Sequence, residues 1–311
     1  MVVFINNVQL LLKEICDENN IKFNVISNGW VMVFEKDSKV RILAGYKFDL
    51  NKNGISNVFD DKFATYELLK LYDVPVVEHK LLYGLYNMEK YATNYKNYNY
   101  LLNYFYENNN NIVIKKNNGT CGNDVYHITN INELKKIFEM IKMSKLSYSM
   151  SPFYNIENEY RTIVLDGKIK LIHKKCLPIV YGDGKSTLKE LLTKFNPIYF
   201  NNKDFNNSDY IPSVEEEYQY DWRFNLCNGA TASFDIDDDV KEKLELIVNK
   251  ITSLFDIGFC SIDIIKTKDN HYYVLEINSG VMMSNLLEEN SEYRKIIKDI
   301  YKVAIEMQFM L

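Results

Sequence analysis

Two short apolar runs near the carboxyl end of the chain carry oxygen-bearing side chains at positions where buried strands normally have none. The runs span 258–265 and 273–280, with a polar, turn-like segment between them. Asp263 interrupts the first run, and Glu276 and Asn278 interrupt the second. Side chains two residues apart on a strand point to the same face, so Glu276 and Asn278 share one. Pairing of the two runs as a hairpin can bring Asp263 to that face as well.

Three such side chains on one apolar face are costly to bury without a compensating partner. Hard oxygen ligands suit Mg²⁺, which proteins usually hold with one or two carboxylates plus substrate phosphates. The alternative is that Asp263 and Glu276 are solvent-facing residues of an edge hairpin with no chemical role. The rest of the chain favours the metal site.

The length and charge of the chain limit the class of protein to which it can belong. Its 311 residues indicate two or three subdomains, and a 47% hydrophobic fraction is enough for an extensive core. The net charge of −5 argues against broad attraction to nucleic acid or to an anionic membrane. It does not exclude a local basic groove. No apolar run approaches the roughly 18 residues needed to span a bilayer, and we expect no signal peptide.

The cysteines and histidines show no metal-ligand spacing. The 5 cysteines are scattered, odd in number and without a Cys-x-x-Cys pair, which fits a reducing cytoplasm and argues against a zinc site or a disulfide framework. The 4 histidines form no pair at helical spacing, so each is expected to be structural or exposed.

Residues 1–59 are expected to form a small N-terminal α/β unit. The segment 8–18 has the pattern of an amphipathic helix, and two strands follow, joined across Asn28-Gly29, a strong hairpin signal. A third strand is predicted at 40–44. The unit has no Gly-x-Gly-x-x-Gly turn, so a dinucleotide-binding start is unsupported.

Two lysines occupy positions that suit phosphate binding. Lys62 lies in the first turn of a predicted helix, where a solvated lysine is the simpler interpretation. Lys115 ends an apolar strand and is followed by a loop that contains Gly119 and Gly122. Glycines let backbone N–H groups approach a phosphate closely, and the lysine adds positive charge. The alternative for this loop is an ordinary hairpin with a solvated lysine.

The strand predicted at 157–165 carries a polar row. Alternation places Glu157, Glu159 and Arg161 on one face. Such a row is normally a solvent face, and a ligand-facing groove is the sharper alternative. The later segment 182–187 lacks the first glycine of a Walker A loop and is not one.

Two helices near the end of the chain are predicted to be packing elements. One spans about 238–255, with apolar residues at steps of four and three. The other spans about 293–310, and its predicted buried face carries Ile296, Ile300, Val303 and Met307.

Taken in order, these segments resemble the ATP-grasp superfamily, and within it the cyanophycin synthetase and glutathione synthetase-like ligases. The resemblance runs from about residue 60 to 284. It rests on the Lys62 helix, Lys115 with its glycine-rich loop, Glu159-Tyr160-Arg161, Trp222-Arg223-Phe224-Asn225, and the set Asp263, Glu276 and Asn278. It implies an α+β fold in which two α+β subdomains clasp ATP, preceded by the small antiparallel unit. The ATP-grasp domain would span 60–311, with a flap-bearing subdomain at about 75–150 and a metal-binding subdomain at about 155–311.

The resemblance also implies roles for individual residues. The residues expected to bind ATP are Lys62, Lys115, Gly119, Thr120, Gly122 and Glu159. The residues expected to bind Mg²⁺, with Mn²⁺ as an alternative, are Asp263, Glu276 and Asn278. The residues expected to act in catalysis are Arg161, Arg223 and Asn225. The best placement of the adenine hinge is Ser149 to Phe153.

The activity implied is that of an ATP- and Mg²⁺-dependent, ADP-forming ligase that joins a carboxylate to an amine through an acyl phosphate. Its substrates would be a small carboxylate and an amine, amino acid or peptide. Two alternatives stay open: an ATP-grasp kinase that phosphorylates a small molecule, and a non-catalytic nucleotide-binding interaction module. We expect no nucleic-acid or membrane partner and a cytoplasmic location, and the sequence leaves a homodimer open.

Overall fold

The computed structural model describes residues 6–84, 97–119, 122, 124–195, 208–287 and 291–310. Within these ranges the strands form sheets of four, five, two and four strands, and the strands of each sheet pair antiparallel. Helices pack against these sheets, so the α+β class predicted from the sequence is confirmed. No helix in the described ranges has a stretch that is both long and apolar enough to cross a membrane.

The N-terminal unit contains one helix and one antiparallel sheet. Helix α1 (Asn7–Glu18) starts with a capping box between Asn6 and Gln9. The sheet consists of β1 (Lys22–Ile26), β2 (Val31–Lys36), β3 (Lys39–Ala44) and β4 (Lys47–Phe48), in that order. Asn28 and Gly29 connect β1 and β2 with φ values of 54° and 92°, in the left-handed region that suits asparagine and glycine. The predicted small antiparallel unit and its hairpin are confirmed.

A second four-stranded sheet follows two helices, and we call it the flap sheet. The helices are α2 (Asn53–Phe59) and α3 (Lys62–Leu71). The flap sheet consists of β5 (Lys80–Tyr83), β6 (Ile112–Lys116), β7 (Val125–Ile128) and β8 (Ser147–Pro152), in the order β5-β8-β6-β7. Helices α4 (Tyr98–Glu107) and α5 (Ile131–Lys142) pack on one face, where Leu101, Leu134 and Ile141 are buried with Ile114.

The five-stranded sheet, called the central sheet, has one apolar face, and its other face is polar around Glu159 and Arg161 and apolar where Ile163 and Leu165 pack with the N-terminal unit. The strands of the remaining chain are β9 (Ile156–Leu165), β10 (Lys168–Cys176), β11 (Ile179–Tyr181), β12 (Glu217–Gln219), β13 (Thr231–Ser233), β14 (Phe259–Thr267) and β15 (Tyr272–Asn278). The central sheet has the order β13-β10-β9-β14-β15, while β11 and β12 pair separately near α6 (Leu188–Phe195). Helix α7 (Asp238–Leu254) covers the apolar face, where Val240 and Leu244 pack with Tyr160 and Val164. Alternation therefore turns Glu159 and Arg161 to the opposite face.

The last helix joins the N-terminal unit to the central sheet. Helix α8 (Ser284–Leu287) is followed by α9 (Ser291–Met310), which packs in one core cluster with α1 and the N-terminal sheet. The predicted buried face is wrong at Val303, which is 41% exposed. Because α9 contacts both α1 and the N-terminal sheet, its buried face is rotated to include Ile297, Ile300, Tyr301, Ala304, Ile305 and Gln308.

The hydroxyl of the buried Tyr301 donates to the Val281 carbonyl at 3.0 Å and accepts from the Met283 amide at 3.2 Å. Tyr301→Phe should therefore lower the free energy of unfolding by about 1–3 kcal/mol, because two buried backbone groups lose a hydrogen-bond partner. The measurement is urea unfolding followed by circular dichroism. The exposed Tyr181 is the matched control, and Tyr181→Phe should have almost no effect. Equal effects of the two substitutions would contradict this account.

Candidate functional site

Four facing residues form a row across the polar face of the central sheet. Arg161 on β9 lies opposite His173 on β10 and, on its other side, opposite Asp263 on β14. Asp263 in turn lies opposite Glu276 on β15. Directly opposed residues in an antiparallel pair place their side chains on the same face. The predicted hairpin pairing is therefore confirmed, and the hairpin continues into a larger sheet.

Two cations hold the carboxylate of Asp263, which is 1% exposed. Arg161 donates from Nε to Oδ1 and from Nη2 to Oδ2, both at 2.6 Å, and Lys175 Nζ lies 2.9 Å from Oδ2. Lys175 also forms an ion pair with the buried Glu159. The alternative of a solvent-facing Asp263 is wrong, and so is a solvent face for Glu159, because both carboxylates are buried in one ion cluster.

The pKa values of Asp263 and Glu159, the two carboxylates of the ion cluster, are shifted in opposite directions. Burial raises the pKa of Asp263, but the charges of Arg161 and Lys175 outweigh burial and hold this pKa well below its usual range. For Glu159 burial dominates, and the pKa is raised despite the Lys175 ammonium. Asp263 therefore stays ionised in the folded protein. Its stabilising contribution is present above the ordinary aspartate pKa of about 3.9 and is lost as the pH falls through the folded value.

Lys62 brings positive charge to the second carboxylate of the row. It lies in the first turn of α3, which Asp61 caps, and it is buried. Its Nζ lies 3.4 Å from Glu276 Oε2 and donates to the Gly119 carbonyl at 2.8 Å. Asn278 Nδ2 donates to Glu276 Oε1 at 3.2 Å. Lys62 is thus buried at the cavity wall, and the interpretation of a solvated first-turn lysine is wrong.

Lys115 is the second-to-last residue of β6, and it lines the same cavity as Lys62 and Glu276. Burial, followed by the positive charge of Lys62, lowers the pKa of Lys115 to about 8. Burial opposes ionisation of Glu276 too, but the positive charges of Lys62, Lys115 and Lys175 together outweigh it and hold the pKa of Glu276 below its usual value. The neighbouring Lys116 instead pairs with Asp124 at 2.5 Å across the base of the loop. Of the two adjacent lysines, Lys115 is therefore the one whose pKa is lowered, while the pKa of Lys116 is raised by its ion pair with Asp124.

Gly122, on the glycine-bearing loop, contacts the segment 221–225. Gly122 has φ 65°, and a Cβ at this position would clash with the amide group of Asn225. Arg223 donates from Nη1 to the Gly122 carbonyl at 2.9 Å and pairs with Asp221. Thr120, a predicted ATP-binding residue of this loop, lies outside the described residues. The geometry makes Arg223 and Asn225 neighbours of the loop.

These side chains surround one cavity of about 530 Å³. The predicted site residues that line it are Lys62, Lys115, Gly119, Gly122, Glu159, Arg161, Arg223, Asn225, Asp263, Glu276 and Asn278. Along β14, Ile265, Asp263 and Ser261 follow one another on the cavity wall. The end beyond Ile265 is apolar, with Val77, Val113, Pro152 and Leu275. The end beyond Ser261 is formed by Gly45, Tyr46, Met282, Ser284 and Asn285.

Sequence reasoning missed three residues of the site. Lys175 neutralises two carboxylates, and its alternation with His173 on a strand beside the acidic row was a usable signal. Asn117 donates from Nδ2 to Asp61 at 2.6 Å and holds the start of α3. Asp221, which orients Arg223, lies in a loop, where no sequence period marks it.

The donor chemistry of the row fits a magnesium–phosphate site. No three His, Cys, Asp or Glu side chains in the described part of the chain form a group that could hold a metal ion. The predicted set instead combines two carboxylates with the amide oxygen of Asn278. Both oxygens of Asp263 already accept from Arg161 or Lys175, whereas Glu276 and Asn278 line the cavity. Such a sparse set matches Mg²⁺, because phosphate oxygens complete its coordination.

Comparisons with known proteins concern the fold of the chain and one segment of its sequence. Residues 209–300 match the RimK-like ATP-grasp domain. A bifunctional glutathione synthetase from Pasteurella multocida has a similar structure, with a TM-score of 0.53 at 14% identity over 94% of this chain and 43% of that one. For D-alanine–D-alanine ligase from Bacillus anthracis the TM-score is 0.52 at 13% identity, over 81% and 69% of the two chains. A search of curated protein sequences found no match.

A third similar structure is D-cycloserine synthetase DcsG, with a TM-score of 0.50 at 11% identity over 83% of this chain and 73% of that one. The chain spans less than half the length of the glutathione synthetase that it matches. At these identities the likenesses establish the fold alone, and they confirm the predicted fold class.

Lys175→Met should lower the free energy of unfolding by about 3 kcal/mol, because Glu159 and Asp263 would stay buried with one cation fewer. The measurement is urea unfolding at pH 7. Adding Glu159→Gln to this variant should recover part of the loss, since one uncompensated charge is removed. Lys168→Met, on the exposed part of the same strand, is the control and should be nearly neutral. A Lys175→Met protein as stable as the parent would contradict the ion cluster.

Proposed function

We propose that this chain, which has the ATP-grasp fold, is an ATP-dependent ligase that joins a carboxylate to an amine. The observation that supports it most is one cavity with an apolar end that leads into facing rows of lysine, arginine and carboxylate side chains. An apolar end suits a nucleotide base, and the charged row suits its phosphates. The flap-bearing subdomain would span about 75–150 and the metal-binding subdomain about 155–311, within a domain of residues 60–311.

Lys62 and Lys115 would bind the polyphosphate. The charge of Lys62 helps to lower the pKa of Lys115, so the two ammonium groups repel each other and a polyanion between them would relieve that repulsion. The loop that carries Gly119 and Gly122 would cover the phosphates with its backbone N–H groups. Its docking on Arg223 would hold it in the closed position.

Glu276 and Asn278, with the remaining acceptor capacity of Asp263, would hold Mg²⁺, or alternatively Mn²⁺. When bound, the metal supplies Lewis-acid neutralisation of phosphate charge. The protein's own contribution is to keep these carboxylates ionised, because Lys62, Arg161 and Lys175 lower the pKa values of Glu276 and Asp263.

The reaction would proceed in two displacements. An oxygen of the substrate carboxylate attacks the γ-phosphorus of ATP, and the bond between the γ-phosphorus and the oxygen that bridges it to the β-phosphate breaks. The products of this step are ADP and an acyl phosphate. The amine nitrogen then attacks the acyl carbon, the carbon–oxygen bond to phosphate breaks, and the amine gives up a proton. Both steps depend on positioning and charge stabilisation more than on a side-chain nucleophile.

Arg161 would stabilise the transferred phosphoryl group. Its Nε and Nη2 bind Asp263, while the side chain is 25% exposed toward the cavity. Because Asp263 locks the guanidinium, Arg161 would act without rearrangement. Arg223 would hold the flap and Asn225 would orient the substrate at its edge. The small carboxylate and the amine, an amino acid or a peptide, would enter from the Tyr46 end.

Release of ADP and phosphate should require both an acid and an amine, and a screen of amino acids and short peptides with product mass measurement tests this.

Glu276→Gln should lower turnover at least about 100-fold, because it removes charge next to the phosphates. Glu157→Gln is the control on the polar row, since Glu157 is exposed and pairs with Lys266. A phosphorylated product without amide would support a kinase, and ATP binding without turnover would support an interaction module.

Binding of Mg·ADP at pH 9 should take up about one proton, because the phosphates would raise the pKa of Lys115 from about 8 toward its ordinary value. The affinity should accordingly fall as the pH rises through 8. Titration calorimetry in two buffers of different ionisation enthalpy measures the uptake. Lys115→Met should abolish it, whereas Lys116→Met should keep it, since Asp124 raises the pKa of Lys116. Equal uptake in both variants would contradict the role of Lys115.

A further inference from the structure

Three aromatic side chains meet at the apolar end of the cavity. The His127 ring stacks on Phe153 with centroids 4.0 Å apart and planes 15° from parallel. Trp222 packs against both, at 5.4 Å from His127 and 5.7 Å from Phe153. We call this group the aromatic wall. Its members come from different parts of the fold, because His127 and Phe153 belong to the flap sheet and its exit while Trp222 lies on the loop between β12 and β13.

The register of the flap sheet places the aromatic wall beside the cavity. Val113 on β6 lies opposite His127 on β7 and opposite Ser151 on β8, so the three side chains share a face. Val113, Ser151, Phe153 and Trp222 all line the cavity. The aromatic wall therefore lies next to Ser151 and Val113 on the same face of the flap sheet.

The spacing between Lys115 and the aromatic wall suits a nucleotide. Lys115 follows Val113 by two residues on the same face of β6, about 7 Å along the strand. A ligand that places its phosphates between Lys115 and Lys62 would extend its other end over Val113. There it would meet the aromatic wall, whose flat rings match a planar base.

Trp222 is placed by its neighbours and contributes little to the core. The flanking Asp221 and Arg223 pair with each other, and Arg223 is tied to the Gly122 carbonyl at 2.9 Å. Trp222 itself stays 37% exposed. A large aromatic residue that is held firmly and left accessible beside a cavity is typical of a ligand contact.

We propose that Trp222 contacts the base of the bound nucleotide and completes an aromatic wall with Phe153 and His127. This inference rests on the proposed function and adds to it a residue that selects for the base. Trp222 reaches the base from the loop that also holds the flap through Arg223. Base binding and flap docking are therefore linked through one short segment.

The test compares two ligands that differ in the base. Trp222→Ala should weaken binding of Mg·ADP about 10-fold, the order expected for the loss of one aromatic contact with a base. Binding of Mg·tripolyphosphate, which has no base, should stay within about 2-fold of the parent value. Calorimetry measures both. Trp30→Ala is the matched control, because Trp30 is 62% exposed on the N-terminal unit, and it should leave both affinities unchanged.

Fluorescence provides a second readout, because the chain has 2 tryptophans. In Trp30→Phe, emission comes from Trp222 alone and should change when Mg·ADP is added. In Trp222→Phe, emission comes from Trp30 and should not respond.

Three outcomes would overturn the inference, and they differ from one another. If Trp222→Ala weakens ADP and tripolyphosphate equally, Trp222 only positions its loop. If Trp222→Ala binds ADP as tightly as the parent, the ATP site stands and the base contact does not. If the parent protein binds no ADP, the proposed function fails and this inference fails with it.

Discussion

The charge balance around Asp263 is the constraint on which the rest of the site depends. A buried carboxylate costs several kcal/mol unless it is paired, and removing one partner of such a pair is strongly destabilising. Arg161 and Lys175 supply the pairing from the two strands beyond β14. The ion cluster therefore favours one register of three strands. It also leaves the Arg161 guanidinium locked in place and partly open to the cavity.

The N-terminal unit is attached to this arrangement through the chain that follows Asn278. Asp60 accepts from Ser279 Oγ at 2.7 Å and pairs with Lys47 of the unit. A Cβ at Gly280 would lie 2.9 Å from the Gly45 carbonyl, so the close approach of these two turns requires glycine at this point. The Gly45 and Tyr46 turn consequently forms one wall at the end of the cavity opposite the aromatic wall. A small β unit thus lines the end of the cavity where we propose that substrates enter.

The site also retains electrostatic strain. Lys62 and Lys115 lie close enough that the charge of one helps to lower the pKa of the other. Adjacent like charges of this kind oppose folding, and proteins keep them where a ligand of opposite charge is to bind. The carboxylates of Glu276 and Asp263 moderate the repulsion without removing it. This balance fits a site that binds a highly charged anion together with a cation.

The sequence by itself determined the faces of the strands, the capped helices and the glycine-bearing loop, because strand and helix periods and glycine conformations are local properties. It therefore placed Glu276 and Asn278 on one face and Lys115 between an apolar strand and the glycine-bearing loop, whereas only the family resemblance drew attention to Lys62. Only the tertiary structure decided that Lys175 lies between Glu159 and Asp263 and that Trp222 meets Phe153. Strand order and loop docking arise from long-range pairing, which a period of two residues does not encode. Local pattern therefore assigns a side chain to a face, and only the assembled sheets assign it a partner.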